Sequence, residues 1–536
     1  MARAGVAAAN PYAVDAGLEI LAQGGSAIDA AVAVQAMLGL VEPQSSGIGG
    51  GGFLLYYDAQ SRRITAFDGR EAAPRGATPD MFLDPAGEPL SYYDAVMSGR
   101  STGVPSAVAM LGSAHARYGM LPWEKLFQPV IRAAEQGVAV PKRMGRFVNG
   151  QDGQAREPDV RTLFSRADGN PLQAGDTFRN PAYAATLRLI ASGGPRALLE
   201  SPLRDKIVAR THAEPRPGTL AVADFDAYQP RVSEPLCGPY LAYVVCVPPP
   251  PSSGVSLLQA LAILDRTDIA ARGPADPEAW FLFAMASRLM YTDRDRWVAD
   301  PEFVAVPVEG LLDAGYVGRR AALIGPVAGP APAAGDPAPI QRGTDATIEA
   351  AGTSHFVVVD RAGNVASMTT TVESLFGSGR AVGGFMLNNQ LTDFSFRPVV
   401  DGVPVANAVA GGKRPRSSMA PVIVLDASGR LVAALGSPGG SAILVYNAKT
   451  LVGLLAWKLP LQEAVNLPNV IARGEETYGE VAKLAPGVAD ALAARGVVVK
   501  PGRGEESGLH GLVIAADGSA TGAADPRREG AWKALP

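Results

Sequence analysis

The chain has 536 residues, more than one hydrophobic core ordinarily supports, so two domains or one large core assembled from two segments are both allowed. Hydrophobic residues make up 47% and charged residues 19%, the balance of a folded chain rather than a disordered one. A formal net charge of −4, with no run of five or more like charges, excludes a nucleic-acid footprint and points to a small-molecule substrate.

The opening Met1-Ala-Arg-Ala-Gly-Val carries no basic stretch followed by an apolar run and a cleavage site, so the expectation is a cytoplasmic protein as written, or a periplasmic or secreted one if the start is truncated. The chain is expected to enter a helix almost at once. Asn10-Pro11 reads as cap and first turn, Val14, Leu18 and Leu21 share a helical face, and Gly24-Gly25 ends the helix. Ser26 then caps a second helix with Asp29 in its first turn. The apolar run from Ala30 to Val41 falls short of the roughly 20 residues a membrane span needs, so it predicts a buried helix and no membrane span.

After the glycine cluster Gly47 to Gly52, residues 53–58 and 63–68 predict a β-hairpin, and residues 105 to 325 read as mainly helical. Cys237 and Cys246 flank a strand-like stretch and are read as inert core residues rather than a disulfide or metal pair. His115, His212, His355 and His510 lack ligand spacing, so no metal is expected. From Gly325 through Gly352 the composition turns to Gly, Pro, Ala and Asp, which predicts a flexible linker. A further hairpin follows at residues 355–360 and 365–372, and strands recur at 421–425, 431–435 and 512–515. Strands at both ends with helices between them predict one layered α/β core built from both ends of the chain.

The junction Gly352-Thr353-Ser354-His355 joins the linker to an apolar strand. A hydroxyl there is placed to attack the preceding glycine carbonyl, pass the acyl group from nitrogen to oxygen, and leave an ester that water opens. The freed amine of Thr353, with an ordinary pKa near 8, then serves as general base for its own hydroxyl. No distant histidine and no cofactor are required.

Thr353-Ser354-His355-Phe-Val-Val-Val-Asp resembles the start of the small subunit of the γ-glutamyltranspeptidases, a family of N-terminal nucleophile hydrolases. Ordered matches run nearly end to end, among them Gly24 to Ala31, Gly49 to Phe53, Phe67 to Pro74, Gly103 to Pro105, Pro249 to Gly254, Leu387 to Gln390, Lys413 to Met419, Gly436 to Ser441 and Ala524 to Arg527. The resemblance implies a four-layer αββα sandwich and self-cleavage into a large piece 1–352 and a small catalytic piece 353–536 that stay together as a heterodimer. It implies hydrolysis or transfer of γ-glutamyl groups from glutathione or other γ-glutamyl compounds to water, amino acids or peptides. It also implies roles by position: Thr353 as nucleophile, Thr371 as its hydrogen-bond partner, and the amides of Gly439 and Gly440 as the oxyanion hole. Arg70, Ser417 and Ser418 would hold the substrate carboxylate; Gln390 and Asp393 would receive its ammonium, and Glu373, where many members carry Asn, would assist them.

Between Asp393 and Lys413 the only aromatic residues are Phe394 and Phe396, so a lid over the site is expected to be reduced, which favours hydrolysis. The spacing of Gly47, Gly49 and Gly52 fits a dinucleotide fingerprint, but a proline-containing loop precedes it and a hairpin follows, so that reading fails on context. Two rivals stand beside the main reading: a cephalosporin or glutaryl acylase using the same nucleophile, and a scaffold that never cuts itself.

Overall fold

The computed structural model describes residues 4–535 apart from 152, 348, 350, 351 and 503–506. Two antiparallel sheets form its centre, built from β1 (Gly5–Ala8), β2 (Gly51–Asp58), β3 (Arg63–Gly69), β4 (Arg231–Ser233), β5 (Leu236–Tyr240), β6 (Tyr243–Val247), β7 (Thr353–Val359), β8 (Val365–Thr371), β9 (Val422–Leu425), β10 (Leu431–Gly436), β11 (His510–Ile514), β12 (Ala520–Ala524) and β13 (Ala531–Ala534). The first sheet runs β13-β1-β7-β8-β2-β3-β4 and the second β12-β11-β10-β9-β6-β5. Each sheet draws strands from both sides of residue 353.

The period-two alternation of strand side chains separates the layers. Leu55, Tyr57, Val357 and Val359 of the first sheet pack against Cys246, Ile423, Ala434 and Leu512 of the second. The alternate residues Leu54, Tyr56, Phe356 and Val358 face outward onto α1 (Pro11–Ala22), α2 (Ala27–Val41), α3 (Ala107–Tyr118) and α4 (Gln128–Gln136). Val245, Val247, Val422 and Val424 face the other way, onto α5 (Gly254–Leu264), α6 (Pro277–Trp297) and α7 (Ile443–Leu451). The result is an α/β/β/α sandwich. Ser26 caps α2 reciprocally with Asp29, as expected, and every residue of α2 is buried, because it lies between its sheet and the surrounding helices.

Four readings need correction. Residues 5–8 form a strand, not the beginning of a helix: their main chain pairs with β7 on one side and β13 on the other, and those partners lie hundreds of residues away. The Cys237 to Cys246 stretch is two strands rather than one, turning at Leu241, where φ is +53°. That turn sets the two cysteines directly opposite each other on β5 and β6, and they form a disulfide, with Cys237 exposed rather than in the core.

The segment from Gly325 is also not loose. Its irregular backbone is held by side-chain donors that take its carbonyls: Arg288 bonds Gly329, Trp297 bonds Gly335 and Arg296 bonds Arg342. A Gly- and Pro-rich chain makes few hydrogen bonds to itself, which leaves its carbonyls for other elements. Residues 348, 350 and 351 of that segment lie outside the described residues. Finally, Phe394 and Phe396 are not poised over the site. They pack with Phe82 and Met81 in a small core of their own, Phe82 and Phe396 stacking at 4.7 Å.

Candidate active site

Thr353 is the first residue of β7, and alternation puts it on the same face as His355, Val357 and Val359, between the sheets at one end of the sandwich. Register sets it opposite Thr371, the last residue of β8. The Thr353 hydroxyl donates to Thr371 Oγ1 at 3.2 Å, and Thr371 Oγ1 in turn donates to the Gly352 carbonyl at 2.6 Å. The Glu373 amide donates to the same Thr371 oxygen at 2.7 Å, so that hydroxyl uses its one donor and both acceptors. A hydroxyl next to a carbonyl that already accepts a hydrogen bond is the arrangement an N-to-O acyl shift needs. His355, two residues on, is fully buried and held neutral by that burial, with Nδ1 2.9 Å from Thr369 Oγ1.

The Gly49–Gly52 cluster lies behind this strand pair. A Cβ on Gly50 would sit 1.9 Å from the Thr371 carbonyl oxygen, so the glycine there allows a close backbone approach rather than phosphate binding. Gly439 and Gly440, which follow β10, have φ of +137° and +55° and open a short helical turn that runs into α7. A side chain on Gly439 would strike the Tyr446 ring at 2.5 Å. The Arg528 guanidinium donates to the Thr353 carbonyl at 3.0 Å.

Arg70 is buried, with its Nε and one terminal nitrogen engaged. It pairs with Asp393 and donates to the carbonyls of Pro415 at 3.1 Å and Arg416 at 2.6 Å. Gln390 bridges the acids, donating to Glu373 at 3.1 Å and Asp393 at 2.9 Å. Around the one guanidinium therefore stand three buried carboxyls: Glu71, Glu373 and Asp393. Burial, only partly offset by Arg70, pushes Glu71 up to about 8. Burial and the neighbouring Asp393 raise Glu373 well above the carboxylate range, so Glu373 is the member of that pair that holds the proton. Glu373 also has φ of +82°, a left-handed conformation that costs a residue with a side chain and that clusters at functional sites.

The serine pair divides. Ser417 Oγ accepts from the Met419 amide at 3.1 Å, while Ser418 Oγ receives Arg294 at 2.7 Å and donates to Glu349 at 2.7 Å. Thr353, Thr371, Glu373, Gln390, Asp393 and Arg70 thus form one connected network, with Ser418 in a second, and Arg416 belongs to both through its carbonyl and its guanidinium. Sequence reasoning did not single out Glu71, Arg294, Glu349, Arg416 or Arg528. Glu71 and Arg416 lie inside motifs that were noticed, each next to a residue that was picked; Arg294 lies in the charged run Asp293-Arg294-Asp295-Arg296 at the end of α6, which reads as an ordinary solvated helix end.

A family model described as gamma-glutamyltranspeptidase matches residues 13–535. The glutathione hydrolase proenzyme of Bacillus subtilis (strain 168) is 37% identical over 486 residues, 88% of this chain and 81% of that protein. The acylase ACY 1 proenzyme of Pseudomonas sp. (strain V22) is 36% identical over 530 residues, 97% of this chain and 91% of that protein. Among solved structures, cephalosporin acylase from Bacillus halodurans superposes with a TM-score of 0.87 at 25% identity, covering 100% of this chain and 96% of that one. With a match of that extent, lying over a sandwich whose strand-leading Thr353 bonds Thr371 and through it the Gly352 carbonyl, the chain belongs to the γ-glutamyltranspeptidase family.

Proposed function

We propose that this protein cuts itself before Thr353 and then hydrolyses or transfers γ-glutamyl groups, with glutathione as the expected donor. The observation that carries the reading is the Thr353–Thr371–Gly352 relay. In maturation, Thr353 Oγ adds to the Gly352 carbonyl, the C–N bond breaks as its nitrogen takes the proton, and water hydrolyses the resulting ester. The products are a Gly352 carboxylate and a free Thr353 amine. In turnover, that amine takes the Thr353 hydroxyl proton while Oγ adds to the γ-carbonyl, and the proton then passes to the departing amine. The γ-glutamyl ester on Thr353 then meets water or an amine acceptor, with the Gly439 and Gly440 amides as donors to the oxyanion; one such donor contributes roughly 3 to 4 kcal/mol to the barrier. The buried acids around Arg70 suit the substrate's α-ammonium.

Intact mass measurement under denaturing conditions tests maturation. Two masses summing to the precursor plus one water, the smaller beginning at Thr353, are expected, and Thr353→Ala should give one uncut mass with no turnover. Two fragments from that variant would refute the scission site.

An acylase acting on glutaryl amides is the second reading, favoured by the likeness to the Pseudomonas acylase along 97% of the chain. It would use the same nucleophile but no ammonium site. Faster turnover of a glutaryl anilide than of a γ-glutamyl anilide would decide for it. As for compartment, the Cys237–Cys246 bridge is of a kind that oxidising compartments retain, which favours export over the cytoplasm. Thiol labelling of freshly lysed cells tests this: labelling of both cysteines without reductant would count against export.

A further inference from the structure

Shortly before the Gly352–Thr353 bond the chain is held by a side chain. Glu349 lies four residues ahead of Thr353, and the hydrogen bonds that described residues make to it all end on its carboxylate. Arg294 of α6 donates to both carboxylate oxygens at 2.7 and 2.8 Å, Arg416 donates at 3.1 Å and the Ser418 hydroxyl at 2.7 Å. Arg294 precedes the Gly352–Thr353 bond in the chain and Arg416 and Ser418 follow it, so one carboxylate is gripped by both stretches of chain.

The groups that grip it are themselves fixed. Arg294 and Arg416 are fully buried; Arg294 also donates to Ser253 Oγ at 2.8 Å and Asp295 at 3.0 Å, and Arg416 donates to Asp345 at 3.0 Å. Arg473 closes the group with a 2.7 Å pair to Asp295, so three guanidiniums meet three carboxylates. Burial alone would raise the Glu349 carboxyl, but Arg294, Arg416 and Arg473 outweigh burial and hold it well below the ordinary range. At the far end of this short span, Thr371 Oγ1 donates to the Gly352 carbonyl at 2.6 Å, and a Cβ on Gly352 would lie 2.3 Å from the Glu373 carbonyl oxygen. Four residue steps reach at most roughly 14 Å, so the two holds leave the bond between them little slack.

We propose that Glu349 is a positioning residue for self-cleavage: its hold on Arg294, Arg416 and Ser418 keeps the Gly352 carbonyl within reach of Thr353 Oγ. This role rests on the assigned scission before Thr353 and deepens it by naming what presents the bond for attack. The step served is addition of Thr353 Oγ to the Gly352 carbonyl; the C–N bond then breaks, the Thr353 nitrogen takes the hydroxyl proton, and water opens the ester. Glu349 exchanges no proton in that sequence. It restricts the approach of two groups on one chain, and a misplacement of about 1 Å can slow such a step about a hundredfold.

Denaturing electrophoresis of pulse-labelled full-length chain follows the loss of precursor with time. Glu349→Gln, which keeps the shape and removes the charge, should slow that loss about tenfold or more. Arg294→Gln should do the same, and the two together should be no slower than the slower single variant, because both break one contact. A glycine inserted between residues 350 and 351 keeps every ion pair and adds slack, so it should slow scission as well; a cluster that served only stability would be indifferent to it. Scission of Glu349→Gln or of the insertion variant at the wild-type rate, or slowing that multiplies in the double variant, would each overturn the role. If Arg294→Gln does not fold, Glu349→Gln and the insertion still decide. A wild type that stays uncut refutes the scission site and this role together; a wild type that cuts, with Glu349→Gln cutting equally fast, refutes this role alone.

Discussion

Two buried charge clusters meet at Arg416, and they are unbalanced in opposite directions. Around Arg70 there is one guanidinium for the three carboxyls of Glu71, Glu373 and Asp393. Around Arg294 there are three guanidiniums, and their balance depends on Glu349, four residues ahead of Thr353. Buried charges are tolerated only when paired. The first cluster meets this condition by keeping protons on Glu71 and Glu373, the second by borrowing a carboxylate from the chain itself.

The largest effect that would break this contrast is expected from Arg70→Met. It leaves Asp393 buried without its cation and should destabilise the fold by about 3 to 5 kcal/mol in denaturant unfolding. A loss under about 1 kcal/mol, the range of exposed ion pairs, would mean that the acids share protons well enough without Arg70.

Glu71→Gln sharpens the comparison through pH. The folded carboxyl titrates near 8, above its unfolded value, so its contribution to stability is fully present below the unfolded pKa and is lost as pH rises through about 8. The wild type should therefore lose stability relative to the variant between pH 5 and pH 9, by an amount on the order of a few kcal/mol. A difference that stays constant across that range would show that Glu71 is ionised in the folded protein throughout.

The smallest expected effect belongs to Glu373→Gln, which keeps the shape and the hydrogen bond from Gln390 but removes a carboxyl that could give up its proton to an arriving ammonium. KM for a γ-glutamyl anilide should rise about tenfold, equivalent to about 1.4 kcal/mol, with little change for a glutaryl anilide. Equal effects on both would remove Glu373 from ammonium recognition.

The arrangement at Thr353 was legible because it is local: a hydroxyl, a glycine carbonyl and a strand start are consecutive in the chain. Ser26, Asp29 and the hairpin at residues 53–68 were legible for the same reason, since caps and tight turns are contacts between near neighbours. The residues that escaped reading share the opposite property. Strand β1 owes its conformation to partners at 356–359 and 531–534, and the disulfide to a turn at Leu241 that sets two strands in register. Arg294 lies 55 residues from Glu349 and 124 from Ser418, and no local pattern announces that pairing.

By itself, then, the sequence determined the Gly352-Thr353 strand start, the sheet-and-helix periodicities and the family pattern, because each depends on neighbouring residues or on an ordered series of motifs. Tertiary structure alone decided which charges neutralise which. A buried ion pair is chosen by the distance between side chains in a medium of low dielectric, and that distance exists only once the two sheets have closed on each other.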